Sequence, residues 1–169
     1  MLGKRLSVLP PWLESWAKFQ ARANDSATLL ARNNARLCRY GANPYNGYDS
    51  SSTPFLYRGE ELRTLKEVEV APLARVITVD LRGDGQKVAW ALDLLRERGR
   101  LETDDGFVIT WEPGQNSALG LSTISRGVDV GNVVEQQRSS LGGLVDYPYG
   151  IGFVFAYQVF FPDGEIIVQ

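Results

Sequence analysis

The sequence predicts a β-rich α+β protein, with a mixed or antiparallel sheet or barrel-like core and two short helices, near 11–23 and 92–98. Three observations lead there. From residue 73 onward, β-branched and aromatic runs alternate with turns rich in Gly, Pro and Asp. Only two stretches carry helix signals. The 169 residues, 44% hydrophobic and 22% charged, suit one globular domain spanning 1–169 with a single core.

The first helix is expected over 11–23. Pro11 suits a first helical position, and Trp12, Trp16, Phe19 and Ala23 recur as one stripe. Two tryptophans on so short a helix predict docking, onto the main body or onto a partner. Residues 40–59 are dense in turn formers yet threaded by Tyr40, Tyr45, Tyr48, Phe55 and Tyr57. A flexible linker lacks such rings, so an ordered loop pinned by its aromatics is predicted.

The β-rich core is expected over 73–169. Its first strand is 73–80, an inner one by its β-branched, apolar content. Residues 82–85 form a hairpin turn into a strand at 87–91. The second helix, 92–98, stops at Gly99, a good residue just past a helix end. Strands follow at 107–111 and 132–137, the latter turning near Gly142 and Gly143. The run 152–161 is apolar at both alternating positions, which predicts a central strand covered on both faces. Pro162, Asp163 and Gly164 then turn into a closing hairpin strand, 165–169.

Composition restricts the chemistry. The chain has no histidine and one cysteine, Cys38. The commonest metal ligands and the usual base for a nucleophile are therefore scarce, and neither a metal site nor a cofactor is expected. Cys38 reads as a small, partly buried hydrophobe. A net charge of −2, with basic residues scattered apart from Arg32, Arg36 and Arg39, argues against nucleic acid. No run is long enough to insert in a membrane. Residues 1–10 lack the apolar stretch of a signal peptide, so read literally the chain is cytoplasmic.

Two loops could carry chemistry. In loop 111–117, Trp111 ends a strand. Glu112 is the candidate general acid or base, Gln115 and Asn116 could orient a ligand, and Ser117 could donate a hydrogen bond. Asp129, flanked by Gly127 and Gly131, could join them in space. A rigid turn whose amides satisfy backbone groups is the competing reading. In loop 43–49, Asn43, Asn46 and Asp49 supply oxygens, and Tyr45 and Tyr48 offer faces for a sugar or peptide. A single carboxylate is thin for calcium, and an aromatic-pinned loop explains the same residues. Adjacent acids such as Glu60/Glu61 and Asp104/Asp105 diverge and mark solvated turns. The tripeptide Arg82-Gly83-Asp84 is explained by its hairpin, and Gly150-Ile151-Gly152 lacks the context of a nucleotide loop.

Several segments together resemble a bacterial family labelled domain of unknown function 3179. They are Ser15-Trp16 with Phe19; Tyr40-Gly41-Ala42-Asn43-Pro44-Tyr45-Asn46-Gly47-Tyr48-Asp49; Pro54-Phe55-Leu56-Tyr57; Pro72-Leu73-Ala74-Arg75-Val76; and Trp111-Glu112-Pro113-Gly114-Gln115-Asn116-Ser117-Ala118-Leu119. Gly127-Val128-Asp129-Val130-Gly131-Asn132-Val133 and Pro162-Asp163-Gly164 complete an ordered set. The likeness is to the C-terminal half of a family whose members are typically twice this length. It implies no settled activity. It also implies export to the periplasm or beyond, which fits this chain if its start is mis-set or it is a fragment of a longer member. A half that normally packs on another half would expose apolar surface. The resulting expectation is a non-catalytic module that binds a protein partner or self-associates. The alternative is a carboxylate- and amide-based enzyme or ligand site at loop 111–117.

Overall fold

The computed structural model describes residues 9–23, 39–55, 70–80 and 87–169. Cys38, Arg32, Arg36, Tyr57, the Glu60/Glu61 pair and the turn at 82–85 lie outside them. Two open four-stranded sheets carry the fold. One has the order β7-β1-β2-β8, formed by Tyr149–Phe153, Arg75–Val79, Val88–Ala91 and Glu165–Ile167. The other has the order β3-β4-β5-β6, formed by Arg100–Glu102, Phe107–Glu112, Asn132–Arg138 and Leu144–Asp146. The first is mixed and the second wholly antiparallel. The architecture is therefore β-rich α+β as predicted, while the barrel-like expectation gives way to two open sheets.

β1 is the inner strand its composition predicts. Ile77 and Val79 enter the larger core cluster with Trp90, Phe107, Ile109 and Val133, so that cluster draws on both sheets. Val76 turns to the opposite face and packs with Ala89, Val154 and Tyr157. Each such fully buried aliphatic side chain stabilises the fold by about 1.5–3 kcal/mol. The second predicted helix, α2 (Leu92–Arg98), forms with the predicted bounds and buries Leu92, Leu94 and Leu95. Gly99 takes φ 68° and donates its N–H to Leu95 O at 2.8 Å, the left-handed ending that favours glycine. The chain then reverses into β3, a short strand not foreseen.

Three expectations need correction. The run 152–161 is not a central strand. Its first residues end β7, and Val154–Phe160 forms helix α3. Burial follows helical spacing, with Val154, Tyr157 and Gln158 inside and Phe160 77% exposed. A run this apolar satisfies both periods, and packing against Val76 and Ala89 selects the helix. Consequently β8 does not close a hairpin with that run; it pairs parallel with β2. Tyr157 holds the return in place: its one hydroxyl hydrogen is shared between the carbonyls of Lys87, the nearer, and Glu165 at 3.0 Å.

The third correction concerns 11–23, where only Trp16–Ala23 is helical (α1). Residues before it are extended, because the edge of β5 offers better partners than a helical turn. Leu13 bridges Val133, whose N–H donates to Leu13 O at 3.0 Å. Leu13 N donates to Tyr149 Oη at 2.8 Å, and Ser15 N to Asn132 Oδ1 at 2.5 Å. The helix is thus docked to the body, yet Trp16 remains 52% exposed. Among the described residues no helix is long and apolar enough to cross a membrane.

Candidate functional site

The two candidate loops meet. Loop 43–49 lies along the chain that follows Ser117. Asn43 N donates to Ser122 O at 2.9 Å, and Gly47 N to Gly120 O at 2.5 Å. Tyr48 N donates to Leu119 O at 3.1 Å. Arg75, opening β1, locks the junction. Its Nη2 lies 3.1 and 3.2 Å from the two carboxylate oxygens of Asp49 and 3.1 Å from Ser117 Oγ. Its guanidinium also sits 5.2 Å over the Phe153 ring, which Tyr48 meets edge-on at 5.6 Å.

This junction has the residue types of a reactive site without the access. Ser117 is fully buried. Its Oγ donates to Asp49 Oδ2 while accepting from Arg75 and from Leu119 N at 3.0 Å. The hydroxyl hydrogen and both lone pairs are engaged, so the oxygen has nothing left to offer an incoming carbonyl. Asn43 is buried and bonded at both ends of its amide. Its Oδ1 accepts from Tyr45 N at 2.7 Å, and its Nδ2 donates to Leu121 O at 3.3 Å. With Asp49 paired to Arg75 and Ser117, the oxygens of Asn43 and Asp49 are engaged within the junction, while Asn46 is exposed. The Tyr45 side chain is largely exposed.

Loop 111–117 is closed by Asp129 in the same self-contained way. Asp129 bridges Asn116, and its carboxylate accepts from the N–H groups of Gly114, Gln115 and Gly131 at 2.8, 3.1 and 2.8 Å. Burial acts to raise this carboxyl. The three N–H donors, with the Arg96 charge behind them, outweigh it and hold the group below the ordinary aspartate value. Trp111 donates its indole N–H to Val130 O at 2.9 Å. Gly131 fits beneath that ring only because it lacks a side chain: a Cβ there would lie 2.0 Å from Trp111 Nε1. Asn116 Nδ2 donates to Ser125 O at 2.9 Å. Gln115 Oε1 is buried without a hydrogen-bond partner. Glu112 stands apart, its exposed carboxylate paired with Lys18 of α1.

Four features escaped the sequence reading. The first is Arg75 as the lock between the loops. The second is Glu135, fully buried on β5 with neither carboxylate oxygen hydrogen-bonded. Desolvation pushes its carboxyl up to about 8, so it is protonated at neutral pH. Alternation along β5 was the available signal, since it places Glu135 on the face of buried Val133. The third is an open groove of about 650 Å³, lined by Pro10, Trp12, Glu14, Trp16, Phe19, Arg22 and Asp146. Trp16 and Phe19 stack at 5.4 Å. Asp146 ends β6, an edge strand whose Leu144 and Val145 are exposed and whose preceding turn carries Leu141 at 96% exposure. The fourth is Arg22 within that groove, 4.6 Å over the Trp12 ring and 5.7 Å over Phe19.

Among the described residues, no group of three or more His, Cys, Asp or Glu side chains is arranged to hold a metal ion. A family model described as a protein of unknown function (DUF3179) matches residues 1–164. Neither a curated protein nor a solved structure matches the chain.

Proposed function

The chain belongs to the DUF3179 family of proteins of unknown function, and we propose that it is a non-catalytic module that binds a protein partner through the α1–β6 face. The observation that carries this reading is the groove of about 650 Å³ with Trp12, Trp16 and Phe19 on its walls. Tryptophan is among the residues that anchor protein interfaces, because a large flat ring buries much area at little entropic cost. Trp16 stands half in water, and exposed Leu144 shares the face of β6 that carries the groove residue Asp146. β6 is an edge of its sheet among the described strands, so an extended segment could add to it by backbone hydrogen bonding while its side chains reach the groove.

The engaged state of the two loops supports the same reading. A carboxylate-based reaction at loop 111–117 needs an accessible acid beside Gln115, Asn116 and Asp129. Instead, Asp129 serves three backbone donors, and Glu112 pairs with Lys18.

Selection of random peptides on the immobilised protein tests the proposal, with W16A selected in parallel. Trp16 is exposed enough for W16A to fold, which circular dichroism checks. Enrichment of peptides by the wild type that W16A fails to retain supports the groove. No enrichment, or peptides retained equally by both proteins, contradicts it.

A further inference from the structure

We infer that Arg22 occupies, from within the chain, a site whose incoming ligand is a basic side chain of the partner, arginine above all. The inference rests on the protein-binding reading and specifies what enters its groove. Arg22 leaves the last turn of α1 and lays its guanidinium against Trp12 and Phe19, the geometry in which an aromatic face attracts a cation. Its Nη2 and Nε also reach Glu14, at 2.5 and 3.2 Å from Oε1. Aromatic walls and a carboxylate at hydrogen-bond distance are the elements that recognise a planar guanidinium.

The groove contains more of these elements than Arg22 uses. Asp146 lines it as a second carboxylate, accepting from Gln136 Nε2 at 2.9 Å, and Trp16 lines it beyond the two rings that Arg22 covers. Among the described lining residues, Glu14 and Asp146 against the single charge of Arg22 leave one negative charge in excess. Trp12 further keeps its indole N–H buried without an acceptor. A partner's main-chain carbonyl, arriving as Arg22 swings outward, would satisfy it. Arg22 is half exposed, so its outward position is solvated and easily reached.

The opposing chemistry makes a different demand. If the groove served an acidic segment, Arg22 would be its main contact and the two carboxylates would repel the ligand. The variant R22A therefore separates the two by sign. For a basic ligand, removing Arg22 removes a competitor; for an acidic one it removes the anchor.

The test titrates wild type, R22A and E14Q with three capped amino acids, acetyl-arginine, acetyl-norleucine and acetyl-glutamate methylamides, following the indole resonances by NMR. R22Q, which keeps much of the stem, replaces R22A if R22A unfolds. The expected result is that the arginine amide binds and that R22A tightens it about tenfold. E14Q should weaken it, and the glutamate amide should bind none of the three proteins. Weaker arginine binding in R22A, or a preference for the glutamate amide, overturns the inference. Equal binding of the norleucine and arginine amides also overturns it while leaving the groove a binding surface. If none of the three binds, the inference fails. The protein-binding reading then stands or falls separately on the peptide selection with W16A.

Discussion

Arg75 and Asp49, 26 residues apart in sequence, form a partly buried ion pair at 3.1 Å that joins two loops across the end of β1. The pair holds loop 43–49 against the segment after Ser117, and Ser117 completes it as donor to Asp49 and acceptor from Arg75. Its effect is organisational. A carboxylate, a hydroxyl and a guanidinium are brought together and engaged by one another, with the Ser117 hydroxyl fully buried between its partners.

The first prediction concerns this pair. R75A strands the Asp49 carboxylate in a mostly dry junction and should cost about 2–4 kcal/mol in urea denaturation. D49A should cost a similar amount, and the double variant much less than the sum, because one interaction is removed twice. S117A should lower stability by about 1 kcal/mol and leave peptide binding unchanged. Additive single-variant costs would contradict the coupling.

Asp129 gives a second prediction. D129A removes the acceptor of three backbone N–H groups and should destabilise by about 1–3 kcal/mol. The acid limb should change as well. A carboxyl held lower in the folded chain than in the unfolded one contributes stability that is present above its unfolded value, near 3.8, and lost as the pH falls through the folded one. Wild type should therefore lose stability below about pH 4 more steeply than D129N. Acid-denaturation midpoints measure the difference, and superimposable curves would contradict it.

Glu135 acts with the opposite sign. Its carboxyl titrates at about 8 in the fold, against an ordinary value of 4.5. Between those values the unfolded chain has released the proton and the folded chain keeps it, so stability falls as the pH rises. The loss approaches roughly 5 kcal/mol by pH 8, at about 1.4 kcal/mol per unit. The absence of histidine removes the usual competing titration from this window. E135Q cannot ionise, so its melting temperature should stay level from pH 5 to pH 8 while that of the wild type declines. Parallel profiles would contradict the burial of an unpaired carboxyl.

Gly131 and Gly142 form a controlled pair. Both have positive φ, 76° and 83°. A Cβ at Gly142 meets nothing within 4 Å, whereas at Gly131 it collides with the Trp111 ring. G142A should cost only the backbone term, about 1 kcal/mol. G131A should cost about 3 kcal/mol or more, because Trp111 must leave Val130 O. Similar melting temperatures for the two variants would contradict the close approach.

Much of the fold was legible in the sequence. β1, β2, α2, β4 and β5 lie where β-branched runs and glycine stops place them, because each combines one dominant period with a clear terminator. Within the run 152–161, Val154–Phe160 is a helix rather than the predicted strand because a mainly apolar stretch satisfies both periods, and packing on Val76 and Ala89 selects the helix. Residues 11–15 were misread for a related reason: a stripe compatible with a helix was claimed by the open edge of β5. Within the candidate site, Asp129 and Asn116 do meet, as spacing allowed. The Arg75–Asp49–Ser117 junction joins residues 26 and 68 positions apart, which no local pattern encodes. The groove is likewise built from α1, the extended residues before it and the end of β6, and it exists only once they are assembled.

The most direct measurement of the central claim follows the indole N–H resonances of the four tryptophans as a peptide selected on the protein is added. Binding at the α1–β6 face predicts that Trp12 and Trp16 move while Trp90, buried in the core, and Trp111, tied to Val130 O, stay in place. Shifts confined to Trp111 would contradict the account and return attention to loop 111–117.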